Sequence, residues 1–285
     1  MSKKIISIVI IVTFLVSGVA FGDAVAGEEV VSLGQDLTEA QKTEMKNYFG
    51  VTEDVRIIEV TNEEERKYFG EHIDLKIIGT RALSSVYVQK LEEGEGIEVE
   101  SNNITWVTDD MYENALVTVG VKDAKVRVNS PMKVTGTAAL TGIIKAFEDM
   151  SGEDISETAK EVASEELAKT SELGKEIGKE EATNLINEIK IYIINNNITN
   201  INEIKEVVED KSKELNINLT QDQIDEISKL MKNIAGLDLN LDEIKTQLKG
   251  LGDRINKIID ENPEAQSFFA KILNAIKDFF NSLFN

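Results

Sequence analysis

The sequence contains no cysteine and a single histidine, so two large classes of chemistry fall away at once. Without cysteine there is no disulfide, no thiolate nucleophile and no thiolate-bound zinc, and a lone imidazole cannot build a multi-histidine metal centre. A lipid-modified cysteine is excluded on the same ground. No apolar-then-basic wall-sorting pattern is found, so release or non-covalent retention is the expectation. Clustered Lys/Arg is also missing. The 31 basic residues are outnumbered by 52 acidic ones, and a net charge of −21 repels polyphosphate, so nucleic acid is not expected as a partner.

Proline occurs only twice, at Pro131 and Pro263, which leaves long stretches without a helix breaker. Long apolar runs are equally scarce, and the exception is residues 5–20. Lys3 and Lys4 precede that run and small residues follow it, the three zones of an export signal. Cleavage is expected after Ala20-Phe21-Gly22 or Ala24-Val25-Ala26, the second being the better match to an A-x-A site, so residues 1–26 are assigned as a signal peptide. An uncleaved anchor is the alternative. The protein is therefore expected to be secreted or associated with the cell envelope, outside the cytoplasmic membrane. With 41% apolar and 29% charged residues, the remainder has the composition of a folded protein.

The pattern changes character near Gly152, and two regions are assigned, 27–150 and 151–262. In the first, strands are expected over 30–33 and 55–60. Each precedes a helix opened by a capping box, Thr38 with Gln41 and Thr61 with Glu64. Runs at 82–91 and 97–100, joined by a Glu/Gly-rich turn, read as a hairpin. Thr108 or Asp109 starts a helix that Gly120 ends, a strand follows over 124–128, and 137–150 is helical. The fold class is α+β: an N-terminal mixed-sheet α/β sandwich followed by a C-terminal all-helical region.

In the second region, helices are expected over 155–167, 180–194, 201–215, 221–235 and 241–259. The last carries Leu241, Ile244, Leu248, Leu251, Ile255 and Ile258 at 3-4 spacing, which reads as a bundle seam. Residues 263–285 form an aromatic amphipathic helix opened by Pro263. Phe268, Phe269, Ile272, Leu273, Ile276, Phe279, Phe280, Leu283 and Phe284 share one face. Burying these side chains is worth, as an upper bound, about 14–27 kcal/mol, so the face must pack on its own bundle, on another chain or in a membrane interface. The segment is too short to span a bilayer, and its few cations limit attraction to anionic lipid. Apart from Leu273, these residues are the candidate partner or membrane surface.

No pattern commits to a catalytic chemistry. His72 lies beside Glu71 and Asp74 without a G-x-S-x-G elbow. Ser130-Pro131-Met132-Lys133 has S-x-x-K spacing but lacks the companion motifs. Gly174 to Lys179 is one residue short of a phosphate loop, and its glycines are expected to interrupt a helix or allow a close helix contact. The run starting at Asp238 begins like a calcium loop but has no glycine at its sixth position. Asp109, Asp110 and Glu113 near Trp106 and Tyr112 raise the alternative of a carboxylate-dependent wall hydrolase. No catalytic, cofactor-binding or metal residue is assigned, and no cofactor is expected.

Several segments resemble the YpuA-like family of exported Gram-positive bacterial proteins. They are 31–38 (VSLGQDLT), 79–85 (GTRALSS), the stretch from Asn103 through Tyr112, Ala124 and Val128 to 136–143 (GTAALTGI), Lys145 to Phe147, and 170–174 (TSELG). The similarity covers essentially all of the chain after the signal segment. The resemblance implies export and a two-part architecture, and it carries over no catalytic residue because the family is one of unknown function. A non-enzymatic binding or assembly protein with an unknown envelope or extracellular partner is the working expectation. Membrane-surface attachment through residues 263–285 is left open as a further alternative.

Overall fold

The computed structural model describes residues 27–237. The signal segment, the seam helix over 241–259 and the aromatic face from Phe268 to Phe284 lie outside the described residues.

One mixed sheet of five strands organises the first half: β1 (Glu29–Gly34), β2 (Arg56–Val60), β3 (Ser85–Lys90), β4 (Ile97–Ser101) and β5 (Ala124–Asn129), in the order β2-β1-β3-β5-β4. β1 pairs parallel with β2 and β4 pairs parallel with β5, while β3 runs antiparallel to both β1 and β5. Each parallel pair needs a crossover. α1 (Glu39–Phe49) joins β1 to β2, and α4 (Asp109–Thr118) joins β4 to β5. Between β2 and β3 the chain forms α2 (Asn62–Phe69) and the short α3 (Leu75–Ile78).

Alternation along the strands sets the layers. Val30, Val86, Val88 and Val126 face α4 and α5 (Thr137–Ser151), whereas Val31, Leu33 and Tyr87 face α1 through Leu37, Met45 and Phe49. Both expected capping boxes form, Thr38 with Gln41 opening α1 and Thr61 with Glu64 opening α2. The expected hairpin does not. β3 and β4 are not neighbours, because β5 lies between them and bonds to both. The turn between β3 and β4 is held from outside, with the Asp123 carboxylate accepting the Gly94 and Gly96 N–H groups at 3.0 and 2.8 Å.

Beyond α5 the described chain is helical: α6 (Glu157–Ile177), α7 (Lys179–Asn195), α8 (Ile201–Glu214) and α9 (Gln221–Ala235). α6 runs a further two to three turns past the expected end at 167. Gly174 stays inside it, where an added Cβ would press on Lys179, and Gly178 ends it. The fold is thus α+β, and α6 packs across α4, so one apolar cluster runs from Val30 on the sheet to Ile234 in α9.

At the junction of α4, α6 and α7 sits a charged pair, Glu166 and Lys190, each 1% exposed and 2.7 Å apart. Lys190 also donates to the Asn114 carbonyl at 2.9 Å and to the Thr118 hydroxyl at 3.2 Å, and Thr118 donates in turn to Glu166. Removing two charges from water costs several kcal/mol each, so the pair survives burial because these added hydrogen bonds satisfy what the ion pair alone would not.

Candidate functional site

β1, β2, β4 and β5 all run in one direction, so their carboxyl ends share one edge of the sheet. Open α/β sheets hold ligands outside such an edge. Here the edge carries a cleft of about 260 Å³ between α2, α3, the loop entering β3 and the start of α5. Ile77, Ile78, Leu83, Val134 and Ala138 form apolar walls, and Glu65, Ser84, Thr135 and Arg81 contribute polar groups.

Glu65 is the floor. It projects from the first half of α2 and is 2% exposed, an unusual place for a carboxylate. It accepts hydrogen bonds from the Thr137 hydroxyl, the Asn62 side-chain amide at 2.9 Å and the Ala138 backbone N–H. The reason lies in α5, whose N-cap is Gly136 and has no side-chain cap bond. A helix start leaves backbone N–H groups without partners and favours negative charge, and Glu65 supplies both needs from another helix. Burial nevertheless dominates and pushes its carboxyl up to about 7, against the lowering effects of Thr137, Asn62 and the nearby Arg66.

Two glycines let the surrounding loops close. Gly34 ends β1 so near the Ala82 carbonyl that a Cβ there would collide with the backbone. That approach permits a reciprocal clamp, with Ala82 N–H donating to the Asp36 carboxylate at 2.8 Å and Asp36 N–H donating to the Ala82 carbonyl at 3.2 Å. Gly136 has φ 103°, and its carbonyl accepts the Tyr112 hydroxyl at 2.6 Å. Arg66 donates to Asn62 at 2.8 Å and to the Gly79 carbonyl, fixing the start of the 79–84 loop over the cleft. Ser84 is 4% exposed and lines the cleft. Arg81 is exposed at the mouth and makes no ion pair among them.

The other sequence candidates are not assembled into a site. Ser130 is fully buried at the end of β5 and Lys133 is exposed in a non-helical turn, so the S-x-x-K spacing does not place one a helical turn from the other. Trp106 and Tyr112 lie in the core, and Glu113, 7% exposed, accepts the Val99 N–H at 3.3 Å. Asp109 is partly buried and its carboxyl is raised above the usual range, chiefly by that burial. His72 borders a wider surface depression of about 530 Å³ between α2, α6 and the end of α9, walled largely by long charged side chains such as Lys67, Glu161, Glu165 and Lys232. Among the described residues no group of three or more metal-ligating side chains is placed to hold an ion. No described helix is long and apolar enough to cross a membrane.

Residues 33–251 match the family model described as "Protein of unknown function (DUF1002)". The chain belongs to this family. It is similar to "Uncharacterized protein YpuA" of Bacillus subtilis (strain 168), 41% identical over 276 residues that cover 96% of this chain and 93% of that one. No solved structure matches. In this DUF1002 chain, two segments that carry the family resemblance, the 79–85 loop and the start of 136–143, line the cleft, with Gly34 packed behind the first at Ala82 and Tyr112 bonded behind the second at Gly136. Arg81 and Ser84 lie in a resembling segment, but the sequence assigned them no role. Glu65 was hidden in the run Glu63-Glu64-Glu65, which reads as a solvated helix face. The one local signal was Glu64 taking the capping-box position, which puts Glu65 a further 100° around the helix.

Proposed function

We propose that this chain is an exported, non-enzymatic binding protein of the cell envelope, and that it takes its partner at the cleft on the carboxyl edge of the sheet. The observation that carries the reading is the cleft itself. It is recessed, apolar-walled and furnished with a buried carboxyl, a serine hydroxyl and an exposed guanidinium, the mix by which small-ligand sites orient what they hold. Export is supported by the basic, apolar and small-residue zones of residues 1–26. Binding is favoured over the wall-hydrolase alternative because Trp106 and Tyr112 are packed inward, leaving no aromatic platform beside Asp109 and Glu113 on which a sugar ring would rest.

The test has two arms in one cell culture. N-terminal sequencing of protein from the medium and envelope fractions is expected to begin after the signal segment. A photo-reactive residue in place of Thr80, on the cleft rim, is expected to capture an envelope component that the same residue in place of Glu203, exposed on α8, does not. Cytosolic protein retaining Met1, or equal capture at both positions, would overturn the proposal.

A further inference from the structure

The two ends of the cleft differ in charge, and its walls are aliphatic. At the floor, Glu65 accepts three donors, whereas an ionised carboxylate offers about four lone-pair directions, so one acceptor position is left for a ligand. At the mouth, the Arg81 guanidinium is exposed without a carboxylate partner among the described residues. Between them Ser84, a residue 4% exposed, lines the cavity and offers a hydroxyl that can donate or accept.

Size and net charge narrow the ligand further. A volume near 260 Å³ lies just below the range of about 300–1,000 Å³ typical of drug-sized ligands, so the group held in the cleft is small. A chain of net charge −21 repels small anions from its surroundings, and a ligand of zero net charge escapes that field. A zwitterion meets every condition: opposite charges at its two ends, no net charge, and room for a small apolar side chain against Ile77, Ile78 and Val134.

We infer that the cleft binds a free aliphatic α-amino acid, with the ligand ammonium on Glu65 and Ser84, its carboxylate on Arg81, and its side chain on the apolar wall. This rests on the binding reading above and gives it a ligand class.

Calorimetric and NMR titration of the purified protein tests it with alanine and valine in both stereochemical forms. Isobutylamine supplies the ammonium half alone and isobutyrate the carboxylate half alone. The intact amino acid is expected to bind at least ten-fold more tightly than either half molecule and to move the amide signals of residues 77–84 and 134–138. Arg81→Gln, at an exposed position that leaves the core untouched, is expected to weaken amino-acid binding by roughly ten- to hundred-fold while leaving isobutylamine unchanged. Equal binding of a half molecule, or an Arg81→Gln variant that binds as well as the parent, would overturn the inference, as would no binding at millimolar concentration. If no amino acid binds while the photo-reactive residue at position 80 still captures an envelope component, the ligand class falls and the binding reading stands. If neither occurs, both fall.

Discussion

Replacing Glu65 by glutamine removes the ionisable group from the cleft floor while keeping its shape, so it isolates what that proton does for stability. In the folded chain the carboxyl is pushed up to about 7 from an ordinary value of 4.5, with burial as the main cause. The folded state therefore holds a proton between these values that the unfolded state has released. The stabilising contribution is complete below the unfolded value, is lost as pH rises through the folded one, and is flat above it. At about 1.36 kcal/mol per unit of displacement, the full swing is on the order of 3 kcal/mol, of which about 2–3 kcal/mol falls between pH 5 and pH 8. Tyr112, beside Glu65 in the core, is raised well above its ordinary value by burial and stays neutral in that range. Elsewhere the acidic surface and Glu157, held at about 2 mainly by Lys67 and Lys160, also shape the pH profile, but equally in both proteins. Urea denaturation of parent and Glu65→Gln from pH 5 to pH 8 should therefore give a gap that drifts by about 2–3 kcal/mol in favour of the variant as pH rises. Parallel curves would show that burial does not raise this carboxyl and would refute the reasoning.

The remaining expectations concern other parts of the fold. Lys190→Met strands Glu166 without a cation in the core and should cost about 3–5 kcal/mol in urea unfolding, while Lys190→Met with Glu166→Leu should recover most of it; a single variant within about 1 kcal/mol of the parent would refute the role given to the pair. Gly136→Ala must adopt φ 103° and press its methyl group on Ile104 and the Tyr112 hydroxyl, so it should destabilise by more than about 2 kcal/mol, read as a lowered Tm; an unchanged Tm would count against the close fit of Gly136 at the start of α5. Deleting residues 263–285 should move the protein from the membrane pellet to the medium if that segment attaches it to lipid. Loss of folded protein instead would assign the aromatic face to the core.

Local structure was legible in the sequence wherever the signal was local. The Thr38–Gln41 and Thr61–Glu64 boxes fall where side-chain spacing puts them, and α9 occupies residues 221–235 as its apolar period requires. Pairing was not legible. The 82–91 and 97–100 runs announce strands and a turn, but nothing in either run encodes that β5, synthesised later, fits between them. α6 was read short because Thr170, Ser171 and Gly174 lower helix propensity, yet contact with α4 and α7 carries the helix through them. The cleft was the least visible feature. Glu65, like Glu166 and Lys190, is one charged residue among many in the sequence, and only tertiary packing distinguishes a buried member from its solvated neighbours.

The placement of β5 has a consequence for how the chain reaches this shape. Until residue 129 is available, β3 offers an unpaired edge and β4 has no strand to lie against. The half-made sheet is then an open template of the kind that recruits foreign strands. β4, α4 and β5 must enter as a unit, and α4 brings with it the surface that receives α6 and α7. Completion of the sheet thereby also completes the surface on which the helical half docks. A fragment ending near residue 150 would carry all five strands yet leave bare the side of α4 that the helices cover.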